Sequence, residues 1–256
     1  CKRVYRFGTD AQGTRVTEGD KSMNFVLGGK GANLAEMSRI GLPVPGGFTI
    51  TCQTCVEYSG AGNVWPEGAL DEIVAAEADL EARCGKKLGD ACDPLLVSVR
   101  SGAQFSMPGM MDTVLNLGLN DDSVQGLIAQ TQNPRFAWDS YRRFIQMFSN
   151  VVMGVDADLF ENALTQVRLV AGVRVDSELS AEDLQELVDT FKGIFSDNVE
   201  AALYPELEVA DGKPVFPHDP ELQLRLAIQA VFGSWMNERA CIYRKQHGIS
   251  DDLGTA

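Results

Sequence analysis

The chain has 256 residues, 45% of them apolar and 23% charged, with a formal net charge of −14. That composition excludes a disordered chain, a collagen-like repeat and a coiled-coil fibre, and the length suits one large domain or two small ones with a buried core. The acidic balance argues against a long basic face for nucleic acid or an anionic membrane, although a few local cations can still hold a small polyanion.

Apolar runs such as Leu95–Val99 are too short to span a bilayer, and residues 1–25 mix Lys2, Arg3, Arg6, Asp10, Arg15, Glu18 and Asp20 without an apolar centre, so neither a membrane span nor a signal peptide is expected. The six cysteines, Cys1, Cys52, Cys55, Cys84, Cys92 and Cys241, are scattered through a chain too large to need staples. Cys52 and Cys55 have C-x-x-C spacing, but no second pair or suitably spaced histidines complete a zinc set. Reduced thiols and a cytoplasmic location are the expectation.

Residues 1–118 are rich in glycine and in short β-branched runs. Gly46–Thr51, Leu95–Val99 and Thr113–Leu117 read as strands. Between them lie helices, the clearest at Gly31–Ile40, which Gly41 and Pro43 stop. Residues 119–200 read as nearly all helical. From Phe136 to Met153 apolar residues recur every three or four positions, at Phe136, Tyr141, Phe144, Ile145, Phe148 and Val152, which places Arg142, Arg143 and Gln146 outward. Leu159–Val170 is a second helix. Ser180 starts a third, with Asp183 completing a capping box and Leu184, Leu187, Val188, Phe191 and Phe195 on one stripe. Tyr204–His218 carries three prolines and Gly212 and reads as a turn-rich return with a hairpin. Asp219-Pro220 has the N-cap and first-turn proline of a helix running through Trp235, and a last helix, Glu238–Gln246, ends at Gly248. The expected architecture is α+β, with an α+β subdomain over 1–118, a helical insertion over 119–203, and a return segment with closing helices over 204–256. The stop after Gly254-Thr255-Ala256 reads as a piece of a longer chain.

Three constellations could carry chemistry. In Leu27-Gly28-Gly29-Lys30-Gly31 a glycine pair before a helix start leaves backbone N–H groups open, and Lys30 adds an ammonium at the electropositive helix end. That suits a phosphate, or else is a glycine turn with a solvated lysine; neither the P-loop nor the dinucleotide fingerprint fits the spacing. In Ser98-Val99-Arg100-Ser101-Gly102 strand alternation sets Arg100 with Ser98, opposite Val97 and Val99. Arg100 is either an ion-paired structural residue or a forked anion clamp. The loop after it, with Ser101, Gly102, Ser106, Pro108 and Gly109, could close over phosphates. Met107, Met110 and Met111 line a slot or fill core gaps, and Asp112 holds a cation or caps the turn. Arg135, Arg142 and Arg143 read as a solvated helix face. His218 and His247 have no partner nucleophile nearby in sequence, and no carboxylate pair suggests glycosidase-type chemistry.

Leu27–Thr51, Leu95–Asp121, Arg135–Val155, Gln223–Trp235 and the closing ISDDLGTA resemble, in order, the N-terminal segments of the pyruvate, phosphate dikinase family, so the similarity covers essentially the whole chain. Two spots depart from that family's pattern: Gly46 stands where a second proline is usual, and Gln104-Phe105 fill positions usually small. The resemblance implies the first subdomain of an ATP-grasp fold, mostly antiparallel sheet with flanking helices, plus an all-helical insertion. It implies binding of the ATP triphosphate for transfer of the βγ-pyrophosphoryl group to a histidine on a swivelling domain, within the conversion of ATP, pyruvate and phosphate to AMP, phosphoenolpyruvate and diphosphate. By the same resemblance Lys30 and Arg100 are triphosphate-binding and catalytic residues, and Ser101, Gly102, Gly109, Met111, Asp112 and Thr113 belong to the loop covering the phosphates. Mg2+ is implied as a cofactor, its ligands outside this chain. The implied partners are ATP, a phosphohistidine domain and a C-terminal barrel of the same polypeptide, and a second copy in a homodimer. The alternatives are a phosphoenolpyruvate synthase-like enzyme, against which the segment Gly109–Asn120 weighs, and a non-catalytic adenine-nucleotide-binding module.

Overall fold

The computed structural model describes residues 2–256. Cys1, one of the thiols expected to be reduced, lies outside them; the remaining five cysteines are free. The fold is α+β, with short and mostly antiparallel sheets among helices. No helix is long and apolar enough to cross a membrane. The chain divides into two compact units: one takes the residues through Lys86 with Arg100–Thr113 and Ile228–Ala256, the other Lys87–Val99 with Val114–Ala227.

The first unit is built on a three-stranded antiparallel sheet ordered β2-β1-β3, from β1 (Val4–Thr9), β2 (Arg15–Thr17) and β3 (Gly47–Ile50). Val4 pairs with Ile50, and Phe7 lies between Thr17 and Gly47. In helix α1 (Asn24–Ile40), Leu27, Ala32 and Ala35 form a buried cluster with the helix's own Val26 and with Met23 and Tyr5 packed on it. It ends where sequence reasoning puts it, at Gly41 in the left-handed conformation. It starts seven residues earlier than expected and is interrupted at Gly28. Helices α2 (Cys52–Gly60) and α3 (Ala69–Cys84) complete the unit's first stretch. Arg83 at the end of α3 is buried, paired to Asp79 at 2.7 Å and donating to the Phe7 carbonyl at 3.1 Å. Tyr58, Trp65 and Phe232 form an aromatic cluster with centroids 5.0–6.0 Å apart.

The second unit contains the parallel pair β4 (Lys87–Leu88) and β5 (Pro94–Leu95), and all but the end residues Arg100 and Thr113 of the pair β6 (Val97–Arg100) and β7 (Thr113–Leu117). The single strand expected at Leu95–Val99 is thus two, broken at Leu96. Four helices follow: α4 (Ser123–Thr131), α5 (Pro134–Val151), α6 (Ala157–Ala171) and α7 (Ala181–Asn198). Phe144, Phe148, Phe160, Phe191, Phe195 and Phe216 fill their core, mostly edge-to-face. The Ser180–Asp183 capping box forms as expected, and so does the hairpin, β8 (Val209–Ala210) with β9 (Lys213–Pro214). Helices α8 (Pro220–Gly233) and α9 (Glu238–His247) close the chain.

The arginines of α5 depart from the solvated-face reading. Arg142 is 3% exposed, its guanidinium 2.9 Å from Asp139 and 3.2 Å from Asp176. Arg135 donates to the carbonyls of Leu179 and Asp176 at 2.9 and 2.6 Å. Only Arg143 stands in solvent, 58% exposed, while Phe136, assigned to the buried stripe, is 48% exposed. The reason is pairing: acceptors brought over α5 by the loop after α6 convert an expected outer face into an inner one.

Candidate functional site

In the first unit, residues 28–29, 102–103 and 255–256 meet backbone to backbone. Gly28 makes the meeting possible: at φ 63 and ψ 172 it breaks α1, and a Cβ there would lie 1.5 Å from the Gly102 carbonyl oxygen. The Gly29 N–H donates to the Ala103 carbonyl at 2.9 Å. Gly102 N–H donates to the Ala256 carbonyl at 2.8 Å, and the Ala256 N–H returns to the Gly102 carbonyl at 3.2 Å. The Thr255 hydroxyl accepts from the Gly102 N–H at 3.1 Å.

Lys30 and Arg100 flank this junction in sequence, one residue after Gly29 and two before Gly102. A Cβ on Gly102 would sit 3.6 Å from that of Lys30, so the lysine is rooted beside the loop two residues beyond Arg100. Arg100 shares the exposed face of β6 with Ser98, while Val97 and Val99 are half-buried, as strand alternation requires. Lys30 is exposed as well. Among the described residues neither cation has an ion-pair or hydrogen-bond partner. The structural alternative for Arg100, an ion-paired residue of the fold, is therefore not what this structure contains.

One expectation is corrected. The glycine pair does not leave its amides open: Gly29 gives its N–H to Ala103, and Gly28 gives its own to the Cys52 sulfur. The pair docks a loop, and what it leaves free is the lysine. Cys52 and Cys55, in the first turn of α2, lie buried behind the junction, the Cys55 sulfur accepting from the Thr255 N–H. Burial pushes the Cys52 thiol up to about 12 and raises that of Cys55, so both stay protonated near neutrality.

The loop beyond Arg100 starts inside and then surfaces. Ser101 and Gly102 are buried, as is Met107. Gly109, with φ 73, is exposed, and Met111, Asp112 and Thr113 are half-buried. The Gln104 amide donates to the Phe25 carbonyl and the Asn24 amide to the Gln104 carbonyl, each at 3.3 Å. At the far end Asp112 does not cap its own turn. It accepts from Asn237 Nδ2 at 3.0 Å and faces Arg239 at 3.6 Å. Sequence reasoning missed Asn237 and Arg239, and no local pattern marks them: Asn237 lies 125 residues from its partner. His247 stacks on Tyr243 with ring centroids 4.2 Å apart, and His218 lies 3.5 Å from Asp122. Among the described residues no group of three or more His, Cys, Asp or Glu could hold a metal ion.

Two cations that have no partner among the described residues and that flank one junction suit a polyanion of low molecular weight. Comparison with known proteins agrees with that chemistry. A family model described as "Pyruvate phosphate dikinase, AMP/ATP-binding domain" matches residues 25–69 and 62–256. The chain is 50% identical over 256 residues to the pyruvate, phosphate dikinase of Clostridium symbiosum and 49% over 255 residues to that of Giardia intestinalis. It is 50% identical over 255 residues to the chloroplastic pyruvate, phosphate dikinase of Mesembryanthemum crystallinum. Each alignment takes in 100% of this chain but only 25–27% of the relative, so the chain spans about a quarter of the length of these curated relatives.

Proposed function

The chain belongs to the pyruvate phosphate dikinase AMP/ATP-binding domain family, and on that premise we propose that it grips the triphosphate of ATP as the N-terminal, ATP-grasp part of a larger dikinase. The observation that carries this reading is the pair of cations, Lys30 and Arg100, which have no partner among the described residues and flank one backbone junction. In the proposed reaction ATP, pyruvate and phosphate become AMP, phosphoenolpyruvate and diphosphate. The βγ-pyrophosphoryl group passes first to a histidine on a domain outside these residues. Phosphoryl transfer depends mainly on positioning and charge stabilisation, so a lysine and a forked arginine are the parts this chain would supply. Each would hold oxygens of the transferred group as charge shifts onto the leaving AMP.

On this reading Ser101 and Gly102 would form the root of the phosphate cover, Gly109 its exposed part, and Met111, Asp112 and Thr113 the stretch that rejoins β7. Mg2+ would accompany the nucleotide. Asp112 is engaged by Asn237 and Arg239, which suits an anchoring role for that carboxylate. We assign the Mg2+ ligands to the remainder of the polypeptide, with the phosphohistidine domain and barrel, and take the whole protein to be a cytoplasmic homodimer. The segments 1–118, 119–203 and 204–256 are read as the first clamp subdomain, its helical insertion and its closing helices.

Replacing Lys30 or Arg100 by alanine in the whole protein should slow ATP-driven histidine phosphorylation at least about tenfold, the loss of roughly 1.4 kcal/mol of transition-state stabilisation. A wild-type rate in either variant refutes that residue's role. Turnover that proceeds without added inorganic phosphate would favour the synthase-like alternative.

A further inference from the structure

The loop proposed to cover the phosphates is held at both ends. Its root is the Gly28–Gly102–Ala256 junction, and its far end is Asp112. Between them Phe105, Ser106, Pro108 and Gly109 are exposed. The far anchor has an unusual donor. Asn237 occupies the N-cap position of α9, where an asparagine side chain ordinarily accepts from the helix's own first-turn amides. Here it makes no such bond and gives its Nδ2 to Asp112 instead. Arg239, in the first turn of α9, faces the other carboxylate oxygen. Tyr243, one turn on, reaches the Ser106 carbonyl at 3.5 Å.

Helix α9 is itself fixed. Arg244, fully buried, lies over the Trp235 ring with its guanidinium carbon 4.1 Å from the centroid and pairs with Asp251 at 2.6 Å. Trp235 Nε1 donates to the Asp251 carbonyl at 2.8 Å. Four residues after Asp251 the chain reaches Thr255 and Ala256, which hold Gly102. The two anchors of the loop are therefore linked through α9 into a closed ring.

We propose that Asn237 and Arg239 are positioning residues: acting through Asp112, they set the pose of the 101–113 loop over the β- and γ-phosphates. Asp112 on this account is an anchor for the loop. The phosphate half of the inference rests on the nucleotide reading above, whereas the anchor half does not.

The test uses Asn237→Ala and Arg239→Ala in the intact protein, with two readouts. Amide hydrogen exchange over residues 104–112 should speed up about tenfold in both variants, with exchange in α2 unchanged, because local opening follows the loss of local contacts. Affinity for ATP with Mg2+ should fall about threefold or more, while affinity for AMP, which has no β- or γ-phosphate, stays at the wild-type value. Asn237→Ala changes no charge, so its effect on ATP cannot come from a lost cation. Unchanged exchange in the loop overturns the anchor whatever the nucleotides do. Faster exchange with equal losses for ATP and AMP overturns the phosphate-specific role. A wild-type protein that binds neither nucleotide overturns the nucleotide reading and the phosphate half with it, and exchange alone then decides the anchor.

Discussion

Gly28→Ala and Gly29→Ala make the same chemical change at adjacent residues and should have opposite outcomes. At Gly28 the backbone conformation is one that only glycine adopts readily, and forcing alanine into it costs about 1–3 kcal/mol. The added Cβ would also stand 1.5 Å from the Gly102 carbonyl oxygen, a backbone atom that cannot rotate away. The loop must retreat, which breaks the Gly29–Ala103 bond and loosens the Gly102–Ala256 pair. At a net of about 1 kcal/mol for each bond lost, the total reaches roughly 3–5 kcal/mol, a large fraction of a typical domain's stability. At Gly29 the nearest atom to an added Cβ is 3.4 Å away, an ordinary contact, and the backbone is not left-handed. Alanine favours a helix over glycine by up to about 1 kcal/mol, so Gly29→Ala should be neutral or slightly stabilising. Urea unfolding followed by circular dichroism, with ATP binding measured alongside, reads both. Gly28→Ala should lose stability and ATP affinity together. Finding it within about 1 kcal/mol of wild type, or finding Gly29→Ala equally damaging, would refute the claim that the junction depends on Gly28.

The α5 arginines should separate in the same assay. Arg142→Ala leaves Asp139 and Asp176 without their buried partner and should cost about 3 kcal/mol, whereas Arg143→Ala should stay within about 0.5 kcal/mol; equal effects would contradict the burial assigned to Arg142. The Cys52 thiol, raised in the folded state to about 12 from 9.0, favours folding fully below the unfolded value, and that contribution is lost as pH rises from about 9 towards 12. Cys52→Ala should therefore show a shallower fall in stability between pH 9 and 11 than wild type, by up to a few kcal/mol, and parallel curves would contradict a protonated buried thiol. Alkylation of the folded protein at pH 8 should mark exposed Cys92 well before Cys52 or Cys55, and early labelling of the buried pair would contradict the same point.

What could be read from the sequence was what local chemistry decides. Helices α5 and α7 announce themselves through a sustained apolar stripe, and Ser180 with Asp183, Gly41 and Gly248 mark helix ends by capping rules that act within a few residues. Strands β1 and β2 gave no such signal. They are short and carry Arg6, Gly8 and Arg15; pairing with β3 some forty residues away makes β1 a strand, and β2 is a strand only through its pairing with β1. Arg142 was misplaced for a related reason: helical periodicity assigns charges to the outer face, but Asp176, 34 residues on, supplies an inner partner.

For the site, residue chemistry marked Lys30 and Arg100 separately, and strand alternation set the face of Arg100. Their shared root could not be read, since it depends on Gly28 meeting Gly102 across the fold. Nor could the use of the glycine amides, because the acceptors, Ala103 and the Cys52 sulfur, are distant in sequence. Ser101 is grouped by sequence with a loop that could close over phosphates, and its burial at the root of that loop has no local signal.

The central claim, that Lys30 and Arg100 hold one polyanion together, is tested most directly by a double-mutant cycle on ATP affinity with AMP as the control. Lys30→Ala and Arg100→Ala should each weaken ATP about tenfold or more, AMP should change little, and the double variant should lose less than the sum of the single losses, with a coupling above about 0.5 kcal/mol. Single variants that bind ATP like the wild type, or equal losses for ATP and AMP, would contradict it.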